Sequence, residues 1–199
     1  MIDEIQNYNI RRYKRKKQLY RLKLGCSQFI IYPLLFVIFA IVVIATAFLI
    51  IKKDMFLAYM NLSKSIYFFL NYCIVFLIIT TALLVTIAII LGIGALTAKK
   101  DEGNIALALD KKDLRNGCPL LIYKKHIKKK GIVVREFYST IPMNKWHEKK
   151  EAIADIFNEH FLIDFEYGGK DNNHGNKIIL KSAKGRKNKD RGILYDEDF

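Results

Sequence analysis

The sequence predicts a membrane α-helical hairpin of two transmembrane helices, followed by a small cytoplasmic α+β domain with two layers and the element order β-β-α-β-β. Two charge-free stretches, Leu24–Ile51 and Ser65–Ala98, are each longer than the roughly 20 apolar residues that cross a bilayer as a helix. Basic residues gather beside these stretches. The 101 residues after Ala98 alternate between strand-like and helix-like apolar periodicity, and they suffice for one small domain.

Residues 1–26 are predicted to form a basic cytoplasmic tail, with eight Lys or Arg against two acidic residues. Tyr and Leu are interspersed among the cations, and such a segment can lie on an anionic leaflet, where each Lys or Arg contributes about 1 kcal/mol. The alternative is a nucleic-acid contact, because the same cations neutralise phosphates without a folded site. Any DNA contact is expected to be weak or indirect. The predicted membrane-surface or phosphate contacts are Arg11, Arg12, Lys14, Arg15, Lys16 and Lys17.

The hairpin is predicted to occupy residues 27–98, with its first span at 27–51 and its second at 66–96. Basic residues accumulate on the cytoplasmic side of short membrane-flanking segments, and both outer flanks are richer in Lys and Arg than the turn. We therefore expect a multi-pass protein of the cell membrane with both termini in the cytoplasm. The basic residues of the turn oppose this orientation; they are Lys52, Lys53 and Lys64.

Small residues recur four apart late in the second span. Ala88 and Gly92 form one such pair, and Gly94 and Ala98 form another. This small-xxx-small spacing lets helices approach closely. It fits self-association into a homo-oligomer and also packing inside the hairpin, and both alternatives stay open. Neither span contains an ionisable Asp, Glu, Lys, Arg or His, which argues against a transport pathway or proton relay.

Residues 99–117 are predicted to be a linker with a short helix, residues 118–183 the folded domain, and residues 184–199 a flexible charged tail. Inside the domain, one helix is expected to cover one face of a small sheet. The predicted strands are Pro119–Lys125, Ile132–Tyr138, Leu162–Tyr167 and Lys177–Lys181, and the helix opens at Pro142 and Asn144.

The predicted helix has an apolar face and an acidic face. Its core stripe has the spacing of a 3.6-residue helix and comprises Trp146, Ile153, Ile156, Phe157 and His160 or Phe161. Glu151, Asp155 and Glu159 follow each other at intervals of four residues. Like charges at this spacing repel by a few tenths of a kcal/mol. A solvated helix face is the simplest interpretation, and these three residues are also the candidates for binding a basic partner surface.

Motifs for metal, nucleotide or covalent chemistry do not stand out. The four histidines never occur at metal-ligand spacing, and the glycine-rich loop 168–177 lacks the GxxxxGK[ST] pattern of a phosphate-binding loop. The isolated Cys26, Cys73 and Cys118 are typical of a reducing compartment rather than of a disulfide framework. We expect no catalytic residue, no bound metal and no cofactor, and therefore no enzyme activity.

The soluble part resembles the region just before the motor domain in FtsK/SpoIIIE-type coupling proteins of Gram-positive conjugative elements. The residues that carry the resemblance are Pro119–Lys124, Glu136–Pro142, Trp146 with Lys149 or Lys150 and Ile153, and Lys177–Leu180, together with the two preceding spans. The resemblance implies a membrane part that anchors a hexameric ATPase, which recruits relaxase-bound DNA and drives it through a type IV secretion channel. The Walker A and Walker B motifs of that ATPase are absent from the sequence, so no catalytic residue is carried over.

These observations predict a membrane anchor and adaptor module of a DNA-transfer coupling protein, in a truncated or split form. A stand-alone protein that shares the anchor is the alternative. The expected partners are the lipid bilayer, further copies of the chain, and secretion-channel proteins or a DNA-translocating ATPase. Two rival functions are a membrane-bound regulator or sensor with a cytoplasmic protein-binding domain, and a hairpin that permeabilises membranes.

Overall fold

The computed structural model describes residues 2–60, 63–109, 118–127, 131–169 and 174–185. The chain divides into two compact units, one made of Arg21–Thr97 and the other of Met1–Tyr20 together with Ala98–Phe199. Three parts of the predicted organisation lie outside the described residues: the end of the linker at 110–117, the connection between the first two predicted strands at 128–130, and the charged tail from residue 186 onward.

Three long helices dominate the first half of the chain: α1 (Ile2–Ile31), α2 (Phe36–Ala58) and α3 (Lys64–Ala108). Two helices, Pro33–Ala58 and Lys64–Ala108, are long and apolar enough to cross a membrane. Five threonines in α2 and α3 donate their hydroxyl to the carbonyl four residues earlier, which satisfies these polar groups within the helix. Lys53 of α2 donates to the Asn71 side chain of α3, with Nζ and Oδ1 2.5 Å apart.

The basic tail and the start of the first predicted span form one helix, and the break falls inside the span. Tyr32 has φ −123° and ψ 83°, because the ring of Pro33 disfavours helical backbone at the preceding residue. A short 3₁₀ turn follows at Pro33–Leu35. The rings of Phe29 and Phe39 stack with centroids 4.4 Å apart, whereas ten residues of straight helix would separate them by about 15 Å. The chain therefore bends sharply between α1 and α2.

The α+β domain contains a five-stranded antiparallel sheet with path β1-β2-β5-β3, and β4 pairs with β5 as well. The strands are β1 (Leu120–Ile127), β2 (Ile132–Tyr138), β3 (Glu159–Phe161), β4 (Glu166–Gly168) and β5 (His174–Lys184). Two short helices, α4 (Met143–Glu148) and α5 (Lys150–Phe157), lie between β2 and β3. The predicted combination of two long apolar helices with a small antiparallel α+β domain is confirmed.

The order of elements within the domain differs from the prediction at two points. The single predicted helix is two helices that meet at Lys149, whose backbone leaves the helical region, and it ends at Phe157 because Asn158 adopts the left-handed conformation at φ 52°. The predicted strand Leu162–Tyr167 is replaced by β3 and β4, which both pair with β5. The left-handed Asn158 reverses the chain early, so that β3 begins at Glu159.

The domain core forms where the helices meet the sheet. Trp146 of α4 and Ile153 of α5 are fully buried, and Trp146 packs with its ring centroid 6.0 Å from that of Phe137 in β2. Ile156, which the periodicity also assigned to the core, keeps 39% of its surface exposed. Ser139 holds the entry to α4, since its hydroxyl accepts hydrogen bonds from the Ile141 amide and from the Trp146 indole.

Candidate functional site

The most polar buried feature of the α+β domain surrounds Arg135. On β2, Val133, Arg135 and Phe137 point to the same side of the sheet, because side chains alternate along a strand. All three are buried, and Arg135 retains 4% of its accessible surface. A guanidinium is costly to bury unless its donors are paired. Its partners therefore define the local architecture.

The guanidinium of Arg135 makes several hydrogen bonds and one contact with an aromatic ring. Nη1 and Nη2 donate to Oε2 and Oε1 of Glu159 at 2.6 and 2.9 Å, and Nη1 also donates to the Ser182 hydroxyl at 3.0 Å. The Ser182 hydroxyl in turn donates to Glu159 Oε2 at 2.5 Å. The guanidinium carbon lies 4.5 Å from the centre of the Phe157 ring. This network connects β2, β3, β5 and the end of α5.

The last turns of α3 join the same network. Asp101 Oδ2 accepts from Arg135 Nε at 3.2 Å and lies 2.7 Å from Lys124 Nζ of β1. Glu102 Oε1 accepts from the Leu121 backbone amide of β1 at 2.9 Å. Asp101 and Glu102 are 2% and 6% exposed. We call Asp101, Glu102, Lys124, Arg135, Glu159 and Ser182 the ion-pair cluster; it fastens the end of α3 to strands β1 and β2.

The pKa values in the ion-pair cluster follow from this pairing. Burial raises the pKa of Glu159, but hydrogen bonds from Arg135 and Ser182 and the charges of Arg135 and Lys124 outweigh it, so its pKa lies below the ordinary value. Burial lowers the pKa of Arg135, and the Glu159 and Asp101 carboxylates outweigh it, so its pKa is raised. Both groups are therefore charged at neutral pH. In the described parts of the chain, every buried side-chain nitrogen or oxygen has a hydrogen-bond partner.

The three acidic residues predicted to share one helix face, Glu151, Asp155 and Glu159, do not lie on one helix. Glu159 belongs to β3 and is a buried partner of Arg135, because the helix ends before it at Phe157. Glu151 and Asp155 are exposed on α5. Glu159 is therefore unavailable to a partner, which corrects the prediction for this residue. Partner binding by Glu151 and Asp155 stays a prediction.

The six predicted phosphate or membrane contacts lie on α1 but differ in exposure. Arg11, Arg12, Lys14 and Arg15 are exposed, whereas Lys16 and Lys17 are partly covered. Lys16 Nζ donates to the Tyr138 hydroxyl at 2.5 Å and lies 4.3 Å from the centre of that ring. Lys16 thus contacts the α+β domain.

The small residues of α3 also separate into two groups. Ala88 and Gly92 are exposed, and a methyl group at Gly92 would meet no atom within 4 Å. Gly94 and Ala98 are buried, and a methyl group at Gly94 would lie 2.0 Å from the Arg21 carbonyl oxygen of α1. In the same way, a methyl group at Gly25 of α1 would lie 2.1 Å from the Ile90 carbonyl oxygen.

These two glycine contacts describe the packing of α1 against α3. Arg21 of α1 faces Gly94 of α3, and Gly25, four residues later on α1, faces Ile90, four residues earlier on α3. The two helices therefore run antiparallel at this contact. Their backbones approach more closely than any side chain would permit. Gly94 therefore serves packing within the chain, while Ala88 and Gly92 remain the candidates for contact with a second copy.

Sequence reasoning missed the ion-pair cluster and Gly25. A signal for Arg135 was present, because it occupies the inward position of an alternating strand between Val133 and Phe137. Nothing local distinguishes Asp101 and Glu102 from other charged residues of a linker. Gly25, in turn, has no small residue four positions before or after it, and its partner lies 65 positions later in the sequence.

Two further features bear on the chemistry available. Among the described residues, no group of three or more His, Cys, Asp or Glu side chains could hold a metal ion. An open groove of about 460 Å³ lies beside the start of α4, and its lining mixes apolar residues with two lysines and a glutamate: Leu109, Thr140, Ile141, Pro142, Lys145, Glu148 and Lys149.

Comparison with known proteins yields one solved structure. No family model and no curated protein matches the sequence. The structure of the pCW3 conjugation coupling protein TcpA, in a monomer form with ATPγS, is 21% identical over 43% of this chain, with a TM-score of 0.35. The match spans 24% of that protein's length. This TM-score is too low to establish a shared fold.

Proposed function

We propose that this chain is the membrane anchor and adaptor module of an FtsK/SpoIIIE-like coupling protein that serves DNA transfer by conjugation through a type IV secretion channel. Helices α2 and α3 cross the cell membrane and place both termini in the cytoplasm. There, the α+β domain positions a DNA-translocating ATPase or binds channel components. The module itself has no catalytic activity, and it acts as a homo-oligomer.

The surfaces of α2 and α3 support membrane insertion. None of the residues in the most apolar 18-residue window of either helix is buried within the protein. Large apolar side chains such as Ile44, Phe76 and Leu83 keep at least 60% of their surface exposed. Leaving such a surface in water costs about 25 cal/mol per Å² of apolar area, so lipid is the solvent that these helices require.

The continuity of α3 into the ion-pair cluster is the observation that carries the adaptor role. The helix runs unbroken from Lys64 to Ala108, and its residues from Ala98 onward belong to the same compact unit as the sheet. Asp101 and Glu102 bind this end of the helix to β1 and β2 through buried ion pairs and a backbone hydrogen bond. A flexible tether would need no such contacts, whereas an adaptor that orients a partner does.

The link to conjugation comes from the sequence resemblance. Its segments fall on structured elements of the domain: Pro119–Lys124 enters β1, Glu136–Pro142 ends β2 and leads into α4, and Lys177–Leu180 lies in β5. These residues build the core and the sheet. The resemblance therefore concerns the scaffold that would position a motor, and the absent Walker motifs leave the motor to another polypeptide or segment.

Deletion of the gene in a donor strain tests the proposed function. We expect a large loss of transfer frequency that the wild-type gene restores, and poor restoration by a variant with both Asp101→Ala and Glu102→Ala. An Asp164→Asn variant is the matched control, because this exposed carboxylate pairs only with Lys150 among the contacts described here. Normal transfer from the deletion strain would overturn the conjugative role and favour the stand-alone regulator.

Membrane topology and self-association need separate measurements. The wild-type chain should resist alkaline carbonate extraction, and protease added outside intact cells should leave its carboxyl half uncut. Cys73 is exposed on α3, so oxidative cross-linking in membranes reports contacts between copies. A dimer band that disappears in Cys73→Ala supports the homo-oligomer, and its absence under efficient oxidation argues against contact at this position.

A further inference from the structure

One side of α1 combines exposed cations with exposed apolar side chains. Tyr8, Arg11, Arg12, Arg15 and Leu19 recur at intervals that place them within about one third of the helix circumference. All five are exposed, and Tyr8 and Leu19 keep 64% and 65% of their accessible surface. We call these five residues the outward face of α1.

An adjacent side of the same helix segment is held by the α+β domain. The Tyr13 hydroxyl donates to the Cys118 carbonyl at 3.2 Å, Lys16 binds the Tyr138 hydroxyl, and the rings of Tyr20 and Tyr138 lie 5.5 Å apart. Tyr13, Lys16 and Tyr20 occur at i, i+3 and i+7, which is one helix face. These contacts fix the rotation of α1 about its axis, so the outward face stays turned away from the domain.

We propose that the outward face binds the anionic headgroups of the lipid leaflet, an inference that rests on the membrane insertion proposed above. Arginine presents a planar fork of donors that matches phosphate oxygens, and three arginines lie on this face. A nucleic acid would require the cations alone. The exposed Leu19 beside the arginines matches a leaflet, where apolar side chains enter the boundary between headgroups and acyl chains.

The position of this face along α1 agrees with a lipid partner. Leu19 lies five residues before Leu24, where the charge-free stretch begins, which corresponds to about 8 Å along a helix. The polar headgroup layer on each side of a bilayer is about 5–8 Å thick. The end of the outward face nearest the apolar stretch is therefore within reach of phosphates, and the surface potential of an anionic leaflet extends over a further Debye length.

The test uses the full chain in nanodiscs, with a fluorescent label at Gln18→Cys and the three native cysteines replaced by alanine. Gln18 is exposed next to the outward face and is not part of it. A headgroup spin label carried by trace phosphatidylcholine quenches the dye only at short range. We expect stronger quenching in discs of phosphatidylcholine with phosphatidylglycerol than in phosphatidylcholine alone, and a reduction of this difference by added NaCl.

Charge variants then identify the residues responsible. The combination of Arg11→Gln, Arg12→Gln and Arg15→Gln should lower quenching to the level seen in phosphatidylcholine alone. A matched control removes three exposed cations elsewhere, by Lys125→Gln, Lys145→Gln and Lys184→Gln, and should keep the wild-type quenching. Equal quenching in the two lipid mixtures, or an equal loss in both triple variants, would overturn the proposal.

Two further measurements separate the possible failures. One contrary result is that duplex DNA lowers the quenching of the dye in phosphatidylcholine discs while anionic lipid fails to raise it. In that case the partner of this face is nucleic acid and the lipid proposal is wrong. Carbonate extraction of the same variants distinguishes this result from failure of the anchor. Variants that lose quenching and stay in the membrane leave the anchor intact, whereas extraction of the wild-type chain overturns the anchor and the lipid contact together.

Discussion

Arg135 and Glu159 form a two-point ion pair in which Nη1 and Oε2 are 2.6 Å apart and Nη2 and Oε1 are 2.9 Å apart. Both side chains are almost fully covered by the domain. The geometry fixes the plane of the guanidinium as well as its position. The remaining Nε donor is thereby directed at Asp101 of α3, so the pair within the sheet prepares the site that the helix occupies.

Removal of one member of this pair should strongly destabilise the domain. We expect Arg135→Met or Glu159→Leu to lower the free energy of unfolding by about 3–5 kcal/mol, because each leaves a buried charge without its partner. The double variant should lose less than the sum of the two single variants. Urea unfolding of the full chain in detergent, followed by the fluorescence of the single buried Trp146, measures this change.

The exposed pair Lys150–Asp164 provides the control for that experiment. Its carboxylate lies at the surface, where water and salt screen the interaction. Asp164→Asn should leave the unfolding midpoint unchanged. A midpoint shift as large as that of Glu159→Leu would show that the unfolding assay responds to any loss of charge.

Stability of the domain should fall in acid because of Glu159. Its pKa in the folded state lies below the ordinary value of about 4.3, so the carboxylate stabilises the fold above that pH and the contribution is lost as pH falls toward the folded-state pKa. Unfolding midpoints measured between about pH 6 and pH 3 should decline in the wild type. Glu159→Gln should show a smaller decline over this range, and an identical pH profile would contradict the assignment.

Gly94 should tolerate no side chain, whereas Gly92 should. A methyl group at Gly94 meets the Arg21 backbone at 2.0 Å, and one at Gly92 meets nothing within 4 Å. We expect Gly94→Ala to destabilise the packing of α1 on α3 by about 1–3 kcal/mol, as in other overpacked contacts. Gly92→Ala should be neutral or slightly stabilising. Thermal unfolding in detergent compares the two variants, and equal melting temperatures would rule out the close backbone contact.

Tyr138 should hold the first half of α1 on the domain. Tyr138→Ala removes the hydroxyl acceptor and the ring under Lys16, while Tyr138→Phe removes only the hydroxyl. Since a cation–π contact at a partly exposed site contributes about 0.5–1 kcal/mol, the Phe variant should keep part of the interaction. Amide hydrogen exchange in residues 9–20 should rise in the order wild type, Tyr138→Phe, Tyr138→Ala. No change in any variant would show that other contacts suffice.

The length of the two charge-free stretches predicted the long apolar helices, and apolar alternation predicted a small sheet. The start of α4 after Pro142 and strand β2 at Ile132–Tyr138 agree with the sequence-based expectation. The continuation of α1 from the basic tail into the apolar stretch could not be seen in this way. The many Lys and Arg residues led to the prediction of a basic tail at residues 1–26, although Lys and Arg are good helix formers.

Tertiary contacts explain the remaining differences. Asn158 adopts a left-handed conformation, although the same residue could also continue the helix. The pairing of β3 with β5 favours the turn over a longer helix. The approach of Gly25 to α3 depends on a partner distant in sequence. For the ion-pair cluster, the inward position of Arg135 was readable, but the identity of its partners was not. Asp101, Glu159 and Ser182 come from three separate elements.

The last eleven residues of α3, Ala98–Ala108, belong to the same compact unit as the sheet. Each residue step turns the helix by about 100°. A small axial rotation of this last part of α3 would move the carboxylate of Asp101 away from Nε of Arg135, so that salt bridge fixes how Ala98–Ala108 is turned on the sheet.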